Sequence, residues 1–320
     1  SWGGRRRPLV AGAPGAGSAW RAGAMSESAA AALAPHYYRD NFQSLCDTVQ
    51  ERYHDLLTAP ELRLLECWRQ LSFPSQCLYV RLVSRVGPWF RESRLQYPEI
   101  GPLSDALDEL LAVGLATLAK GLDTEALGSL FTVAELRLAF AGQLPSTRGG
   151  GKAALLAAID ELCLGDSELL AAAAMLDPGR VIAPLGGDTV AVLQTLFFGN
   201  RRQSLTEFVL ADLGVARYYP YSLASAQRLF PSREALDEYL RCAALSERWH
   251  DLRQAGDWGG LQTLYDAVAA QSPTFAPGRR RWFRLCNGLA RDLERLGCDD
   301  QALALYCRSE LHPARERAAR

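Results

Sequence analysis

An arginine-rich segment, residues 76–100, carries side chains that could bind nucleic acid. Its basic and aromatic residues alternate along the chain: Arg81, Arg85, Arg91 and Arg94 stand among Tyr79, Trp89 and Tyr97. A guanidinium group forms paired hydrogen bonds with phosphate oxygens, and an aromatic ring packs against the deoxyribose surface. The pattern therefore indicates a contact with the sugar–phosphate backbone, and the alternative is a solvated helix face over an aromatic core.

Arg81 and Arg85 are the main candidates in this segment, because residues four positions apart share one face of a helix. Arg94 is a candidate on its charge alone. Groups of this kind would recognise the shape of a duplex, with little readout of its bases.

Catalytic constellations are missing from the sequence. The four histidines include no pair at i, i+3 or i, i+4, and no G-x-S-x-G motif occurs. Metal-dependent nucleases of the restriction-endonuclease type use a D/E-x-K element, yet the two lysines, Lys120 and Lys152, follow Leu118 and Gly150 at that spacing. We therefore expect no catalytic or metal-binding residue, no cofactor of the chain's own, and no nuclease activity when it is alone.

The balance of charge excludes a uniformly basic nucleic-acid binder. The chain has 35 basic and 36 acidic residues. Four arginines lie in the first 24 residues, which contain no acid, so 35 minus 4 leaves 31 basic residues against 36 acidic ones and a net charge of −5. Any contact with nucleic acid must therefore come from local basic patches.

The first 24 residues differ in composition from the rest of the chain. They are rich in Gly, Ala, Pro and Arg, and they cannot bury enough apolar surface to offset the entropy of ordering. Met25 then opens the segment MSESAAAALAPHYY, which reads as a start. We expect residues 1–24 to be a disordered tail or a mis-assigned start. A targeting peptide is the alternative, although the apolar core of a secretory signal is missing.

The composition favours a bacterial protein. The expected location is the cytoplasm, with association to the nucleoid as a DNA-binding role would require. Nearly all the basic residues are arginine, and alanine, leucine and glycine abound, as in proteins from GC-rich genomes. The eight cysteines include no C-x-x-C pair and are expected to be buried free thiols in a reducing compartment. No uncharged apolar run reaches the length that crosses a bilayer, about 20 residues, so no membrane contact is expected.

The elements that must position these side chains are mostly helices. Thr58 and Thr132 each precede a glutamate by three residues, which is the spacing of a capping box. Ser104 and Ser232 are further candidates for the N-cap position, and Gly114 can end the helix that Ser104 starts. The expected fold class is therefore mainly α.

Extended structure is expected to be scarce, and its best candidates are the aromatic and β-branched stretches 89–97 and 208–221. A helix, the first of these stretches, a second helix and the residues GLATL would form a winged-helix-like element over 78–118. Four domains are expected after the tail: an N-terminal helical DNA-binding domain at 25–125, a short helix–turn–helix at 126–162, a connecting helical region at 163–245 and incomplete, repeat-like helical hairpins at 246–320. The turns of the hairpins are expected at Ala255-Gly256-Asp257 and Leu296-Gly297-Cys298-Asp299.

Three motifs resemble those of the Fanconi-associated nuclease family. They are P-x-Y-Y at Pro35–Tyr38, then Q-x-L-Y-V-R-L-x-x-R at Gln76–Arg85 with Trp89 four residues later, and L-x-Y-x-E-I at Leu95–Ile100. So long an ordered string is specific, and the resemblance extends over roughly residues 33–317.

A second region, 131–159, resembles a SAP motif, a small two-helix DNA-binding element. Its first helix starts at the capping box of Thr132, and a Gly-rich turn joins the two helices. Arg148 and Lys152 flank that turn, where positive charge and backbone N–H groups could meet phosphate. The second helix departs from many SAP motifs because it is alanine and leucine where they carry lysine.

The resemblance implies the DNA-docking part of a structure-selective nuclease of phosphodiesterase I type. Such an enzyme cleaves near a 5′ flap or junction in interstrand crosslink repair, with Mg or Mn held by a virus-type replication-repair (VRR) nuclease domain that follows TPR-like helical repeats. The implied partner is branched or flapped DNA. The implied DNA-binding residues are Tyr38, Arg81, Arg85 and Tyr97, with Arg148 and Lys152 in second place.

Three other interpretations remain at this point. The chain could be a non-enzymatic scaffold whose helical hairpins bind a partner protein, an enzyme with a novel site, or a truncated or misread gene product without a function of its own. A salt-sensitive affinity for DNA distinguishes the docking function from the scaffold.

Overall fold

The computed structural model describes residues 35–85, 87–144, 151–200 and 228–310. Helices dominate this part of the chain, as the sequence predicts, and three short strands form a small sheet. The helices are α1 (Tyr37–Tyr53), α2 (Ala59–Gln70), α3 (Phe73–Val83), α4 (Leu103–Val113), α5 (Thr124–Leu130), α6 (Val133–Ala139), α7 (Lys152–Asp160), α8 (Asp166–Leu176), α9 (Gly187–Phe198), α10 (Arg233–Ala255), α11 (Trp258–Ala269), α12 (Ala276–Arg295) and α13 (Asp299–Arg308). The strands are β1 (Phe90–Arg91), β2 (Ala116–Leu118) and β3 (Val181–Pro184).

The first apolar core lies where α1 packs against α3 and α9 and α3 packs against α4. Phe42, Trp68 and Tyr79 fill its centre, and the rings of Phe42 and Trp68 meet edge-on at 4.6 Å. Tyr79, one of the aromatic residues of the arginine-rich segment, is wholly buried, and its hydroxyl donates to the carbonyl of Leu185 at 2.9 Å. Gln76 accepts from Arg39 of α1 and donates to the carbonyl of Trp68, so this motif residue joins three helices.

Most of the predicted helix ends are confirmed. Thr132 and Glu135 form both hydrogen bonds of a capping box, and the backbone N–H of Thr58 donates to Glu61 at 2.8 Å. Ser232 caps α10 by accepting from the N–H of Ala235. The glycines that end helices, Gly114, Gly256 and Gly297, all have positive φ, which costs a residue without Cβ little.

The cap predicted at Ser104 is wrong. The helix begins one residue earlier, at Leu103, and Pro102 occupies the N-cap position with extended backbone. Ser104 therefore lies in the first turn of α4, and its hydroxyl accepts from Arg180 at 3.2 Å.

The sheet corrects the predicted extended segments. Of the stretch 89–97 only Phe90–Arg91 is a strand, and Glu92–Arg94 form a 3-10 turn whose first N–H donates to the carbonyl of Arg180. The order helix, strand, helix over 78–113 is as expected, and within the residues GLATL the structure adds a strand, β2, that does not pair with β1. Strand β3 lies between them, antiparallel to both, in the order β1-β3-β2. The residues of β3 had no predicted strand, although turn residues bound them, Pro178-Gly179 before and Gly186-Gly187 after.

The SAP-like region thus lies in the chain between two neighbouring strands, β2 and β3. Helices α5 to α8 enclose a second apolar cluster that runs from Leu122 to Val181, with Phe131, Leu136 and Phe140 among its buried residues. The backbone leaves the sheet after β2 and returns to its centre at β3, so the sheet holds both ends of this region.

Helices α10 to α13 form a third apolar cluster through successive contacts: α10 with α11 and α12, and α12 with α11 and α13. The two predicted turns, at Gly256 and Gly297, separate consecutive helices. Their likeness to tetratricopeptide repeats and the domain boundaries drawn from the sequence stay predictions.

The eight cysteines are free thiols, of which Cys46, Cys77, Cys242 and Cys286 are buried. No helix of the described residues is long and apolar enough to cross a membrane. Residues 1–24, the stretch 208–221 and Arg148 lie outside the residues that the structure describes.

Candidate nucleic-acid interface

Four of the predicted site residues, brought from three parts of the chain, line one cleft. Tyr38 is in the first turn of α1, and Arg81 is in the last turn of α3. Tyr97 lies in a tight turn that the N–H of Ile100 closes on the carbonyl of Tyr97 at 3.0 Å. Arg85 lies two residues beyond the end of α3, so it shares the cleft with Arg81 through a turn and not through one helix face as predicted.

Arg81 is held by two aromatic rings and a carboxylate. Its guanidinium carbon lies 4.0 Å from the ring centre of Tyr38 and 5.4 Å from that of Tyr97. Its Nη2 donates to Oε1 of Glu99 at 2.7 Å, and the hydroxyl of Tyr38 donates to the same oxygen at 3.3 Å. Cation–π contact and a charge-assisted hydrogen bond together fix the guanidinium at the edge of the cleft.

Arg85 is exposed, and its contacts among the described residues are with aromatic side chains. Its Nη1 donates to the hydroxyl of Tyr97 at 3.0 Å, and its guanidinium carbon lies 5.0 Å from the ring centre of Phe90. No ion pair of Arg85 is found within the described part of the chain, so its charge faces the cleft without a carboxylate beside it.

The first cleft, as we call this cavity of about 360 Å³, is lined by Tyr37, Tyr38, Val80, Arg81, Ser84, Arg85 and Tyr97. Tyr38 is almost wholly buried, and this burial raises the pKa of its phenol far above the ordinary value. The group is therefore a neutral hydrogen-bond donor near neutral pH. Burial opposes ionisation of Glu99 as well, but hydrogen bonds from its own N–H and from Arg81 prevail and hold the pKa of Glu99 below its ordinary value.

A second cleft, of about 320 Å³, adjoins the first at Arg85. Its lining includes Trp89, Arg91 and Arg94 from the arginine-rich segment and Ser129 and Leu130 from the end of α5. Arg94 is 66% exposed and pairs with Glu135 of α6 at 3.2 Å. The second cleft therefore lies where the first core meets the SAP-like region, and Arg85 belongs to both clefts.

Lys152 is not part of either cleft. Its Nζ donates to the backbone carbonyl of Phe131 at 2.8 Å, which ties the start of α7 to the end of α5. Its partner in the sequence prediction, Arg148, lies outside the described residues. Whether any of the predicted residues contacts DNA stays a prediction.

The sequence prediction missed four residues of this site, of which one is the apolar Val80 in the lining of the first cleft. Tyr37 and Ser84 line the first cleft, and Glu99 binds two of its side chains. Tyr37 and Glu99 are letters of the P-x-Y-Y and L-x-Y-x-E-I motifs, so a signal for both was present, but a motif does not say which of its members face a cavity.

No three side chains of His, Cys, Asp or Glu come together among the described residues in a way that could hold a metal ion. The oxygen ligands that Mg²⁺ and Mn²⁺ require are therefore not assembled in that part of the chain.

Comparison with known proteins identifies the family. Residues 36–117 match a family model described as "FAN1, HTH domain", and residues 121–165 match the "Fanconi anemia-associated nuclease SAP domain". A curated relative, the Fanconi-associated nuclease 1 homolog of Pseudomonas aeruginosa, is 32% identical over 291 residues, which cover 89% of this chain and 50% of the relative. The chain belongs to the Fanconi-associated nuclease family. The resemblance drawn from the three motifs is thereby confirmed.

Other members of the Fanconi-associated nuclease family are similar to this chain in sequence or in structure. The homolog of Arabidopsis thaliana is 30% identical over 211 residues, which cover 63% of this chain and 24% of the relative. A crystal structure of paFAN1 bound to 5′ flap DNA with a 2-nucleotide flap and a gap matches with a TM-score of 0.77 at 30% identity, over 89% of this chain and 51% of that one. The chain thus spans about half the length of the first relative and of the solved structure.

Proposed function

We propose that this chain is the DNA-binding part of a Fanconi-associated nuclease and that its first cleft grips the sugar–phosphate backbone of a branched duplex. The observation that carries the proposal is the convergence of Tyr38, Arg81, Arg85 and Tyr97 on one cavity. The similar paFAN1 structures hold 5′ flap DNA with a gap, which supports the same class of partner here.

The chemistry of the first cleft suits phosphate. Arg85 has no carboxylate partner among the described residues, and Arg81 has a guanidinium that lies close to two aromatic rings. A guanidinium binds phosphate through a fork of donors, and aromatic rings supply flat apolar surface for the sugar. The cleft presents cations, hydroxyls and ring faces, so the proposed recognition is of backbone shape and not of base sequence.

The second cleft would extend the same contact toward the SAP-like region. Arg85 is common to both clefts, and Arg94 lies exposed in the second. Successive phosphates along one strand could therefore meet Arg85 and then Arg94. Lys152 and Arg148 are secondary contacts in this proposal, since Lys152 already has a backbone partner.

The chain covers about half of the relative from Pseudomonas aeruginosa and of the solved paFAN1 structure, so the activity of a whole nuclease is a separate proposal. We propose cleavage near 5′ flaps or junctions, of phosphodiesterase I type and in interstrand crosslink repair, by a VRR-type nuclease domain that uses Mg or Mn. The described residues assemble no metal-binding group, so the proposal assigns the metal to none of them. The proposed location is the bacterial cytoplasm, at the nucleoid.

A salt titration tests the docking function. Binding of the full chain to a duplex with a 5′ flap should weaken with salt at a slope of about −4 in log K against log[salt], as expected for four or five phosphate contacts. Arg81→Ala combined with Arg85→Ala should weaken binding on all sequences alike and make the slope shallower by about two. Arg63→Ala combined with Arg241→Ala, at exposed positions of α2 and α10, is the matched control. A flat salt response, or equal losses in the two double variants, would overturn the proposal.

Helices α10 to α13 offer a second, independent function, the binding of a partner protein. Trp258 of α11 and Leu303 of α13 leave about half of their surface exposed, which is apolar surface that a partner protein could cover. The scaffold alone would leave affinity for flapped DNA insensitive to salt, so the titration above separates the two functions.

A further inference from the structure

Glu99 is a negative charge placed directly behind a cleft that is proposed to bind a polyanion. Its carboxylate does not line the first cleft, yet one of its oxygens accepts from both Arg81 and Tyr38, which do. A carboxylate in that place repels phosphate, so its position calls for a compensating role.

We propose that Glu99 is a positioning residue, which holds Arg81 and Tyr38 in the geometry that grips the DNA backbone and does not itself touch DNA. This inference rests on the proposed function of the first cleft. It adds a residue that determines how well the cleft is pre-organised.

The contacts of Arg81 show why an anchor is needed. The Nε of Arg81 is buried and has no hydrogen-bond partner among the described residues, so it does not fix the direction of the guanidinium. The rings of Tyr38 and Tyr97 lie 4.0 and 5.4 Å from the guanidinium carbon, and a contact with a ring face does not fix the direction of the individual N–H groups. The bond from Nη2 to Glu99, at 2.7 Å, supplies the missing direction.

Both residues that orient the two arginines, Tyr97 and Glu99, lie in one tight turn. Residues 97–100 carry the Tyr97 ring, which packs against Arg81 and accepts from Arg85, and the Glu99 carboxylate, which anchors Arg81 from behind. Pro98 between them fixes one backbone torsion and stiffens the turn. The spacing of Tyr97 and Glu99 therefore sets the spacing of the two arginines across the cleft.

The sign of one mutational effect decides between positioning and simple repulsion. If Glu99 only repels phosphate, Glu99→Ala strengthens binding to a flapped duplex, because a negative charge near DNA is gone. If Glu99 positions Arg81, the same change weakens binding by about two- to tenfold, since DNA must then order a long side chain that was ordered beforehand. Glu99→Gln keeps an oxygen that can accept from Arg81, and we expect its affinity to stay within about twofold of the original chain.

A double-mutant cycle shows whether the effect passes through Arg81. In a chain that already carries Arg81→Ala, adding Glu99→Ala should change the affinity by less than about twofold, because the group it positions is absent. Losses that multiply would show an independent or merely structural role and would overturn the inference. Glu66→Ala, at an exposed carboxylate of α2, is the control and should leave the affinity unchanged.

Two further outcomes are distinguishable. If the original chain binds flapped duplex with a steep salt slope and loses affinity on Arg81→Ala, the proposed function stands. Tighter binding by Glu99→Ala would then refute only the positioning role of Glu99. If the original chain shows no salt-dependent binding, both ideas fail. Should thermal unfolding show that Glu99→Ala does not fold, Glu99→Gln decides, since tighter binding by that variant supports repulsion and overturns positioning.

Discussion

Arg81 and Arg91 lie ten residues apart in one segment, but their side chains have different surroundings. Arg81 lines the first cleft between two tyrosine rings and meets a single carboxylate. Arg91 is only 8% exposed: it pairs with Glu135 at 2.9 Å and Asp177 at 3.6 Å, and its guanidinium carbon lies 4.3 Å from the ring centre of Phe131. Arg81 thus lines a cleft with one carboxylate partner, and Arg91 joins the sheet to the SAP-like region.

The difference shows that the sequence gives the charge of a side chain but not whether that charge is free to bind a ligand. Arg180 is a second example, since its guanidinium donates to both carboxylate oxygens of Glu92 at 2.7 Å and also donates to Asp108. Arg91 and Arg180 each meet two carboxylates and join distant elements of the fold. Arg81 and Arg85 meet at most one carboxylate among the described residues, and they lie beside aromatic rings and line the first cleft. The predictions below test that division.

The largest expected effect is on stability, from Arg91→Ala. The change leaves Glu135 and Asp177 without their buried cation, and breaking a buried ion pair costs about 3 kcal/mol or more. We expect the free energy of unfolding, measured with urea, to fall by about that amount. Arg85→Ala, at an exposed site, should change it by less than about 0.5 kcal/mol. Similar decreases in the free energy of unfolding of the two variants would show that Arg91 contributes no more to the fold than Arg85.

A smaller, pH-dependent effect is expected at Glu135. The N–H of Thr132 donates to its carboxylate, and this bond, with help from Arg91 and against the cost of burial, lowers the pKa of Glu135 to about 2. Because the folded pKa lies below the ordinary value of 4.5, this carboxylate stabilises the fold fully above about pH 4.5, and the contribution is lost as the pH falls toward about 2.

Thermal unfolding across that window measures the contribution. The original chain should lose stability relative to Glu135→Gln as the pH falls, because the glutamine has no charge to lose. Glu125→Gln, at an exposed carboxylate of α5, serves as the control and should follow the original chain. Parallel curves for the original chain and Glu135→Gln would show that the ionised carboxylate of Glu135 contributes nothing to the stability of the fold.

The smallest effect is expected from Lys152→Met, which keeps the length of the side chain and removes its charge. Loss of the bond to the carbonyl of Phe131 should lower the free energy of unfolding by about 1 kcal/mol. The salt slope of DNA binding should not change if this lysine serves the fold alone. A slope shallower by about 0.9 would show instead that Lys152 meets a phosphate, as the sequence suggested.

The local elements could be predicted because their signals are local. Thr132 and Glu135 form a capping box from residues three apart, and Gly114, Gly256 and Gly297 end helices because their backbones need positive φ. The motif resemblance also named the family correctly, and it selected four residues that do meet at one cleft.

The sheet could not be predicted in the same way. Strand β3 pairs with residues about 65 to 90 positions earlier in the chain, and a run of four residues carries too little periodic signal to mark a central strand. The helix cap at Ser104 failed for a similar reason, since its hydroxyl is engaged by Arg180 from a distant part of the chain.

By itself, the sequence determined the mainly helical fold class, most of the helix ends that it marked and the family, because these depend on spacing within a few residues or on an ordered string of motifs. Only the tertiary structure decided which arginines are available, since that depends on where distant carboxylates lie: Glu135 and Asp177 beside Arg91, Glu92 beside Arg180, and Glu99 behind Arg81. Charge is a property of a residue, but its availability is a property of the packing around it.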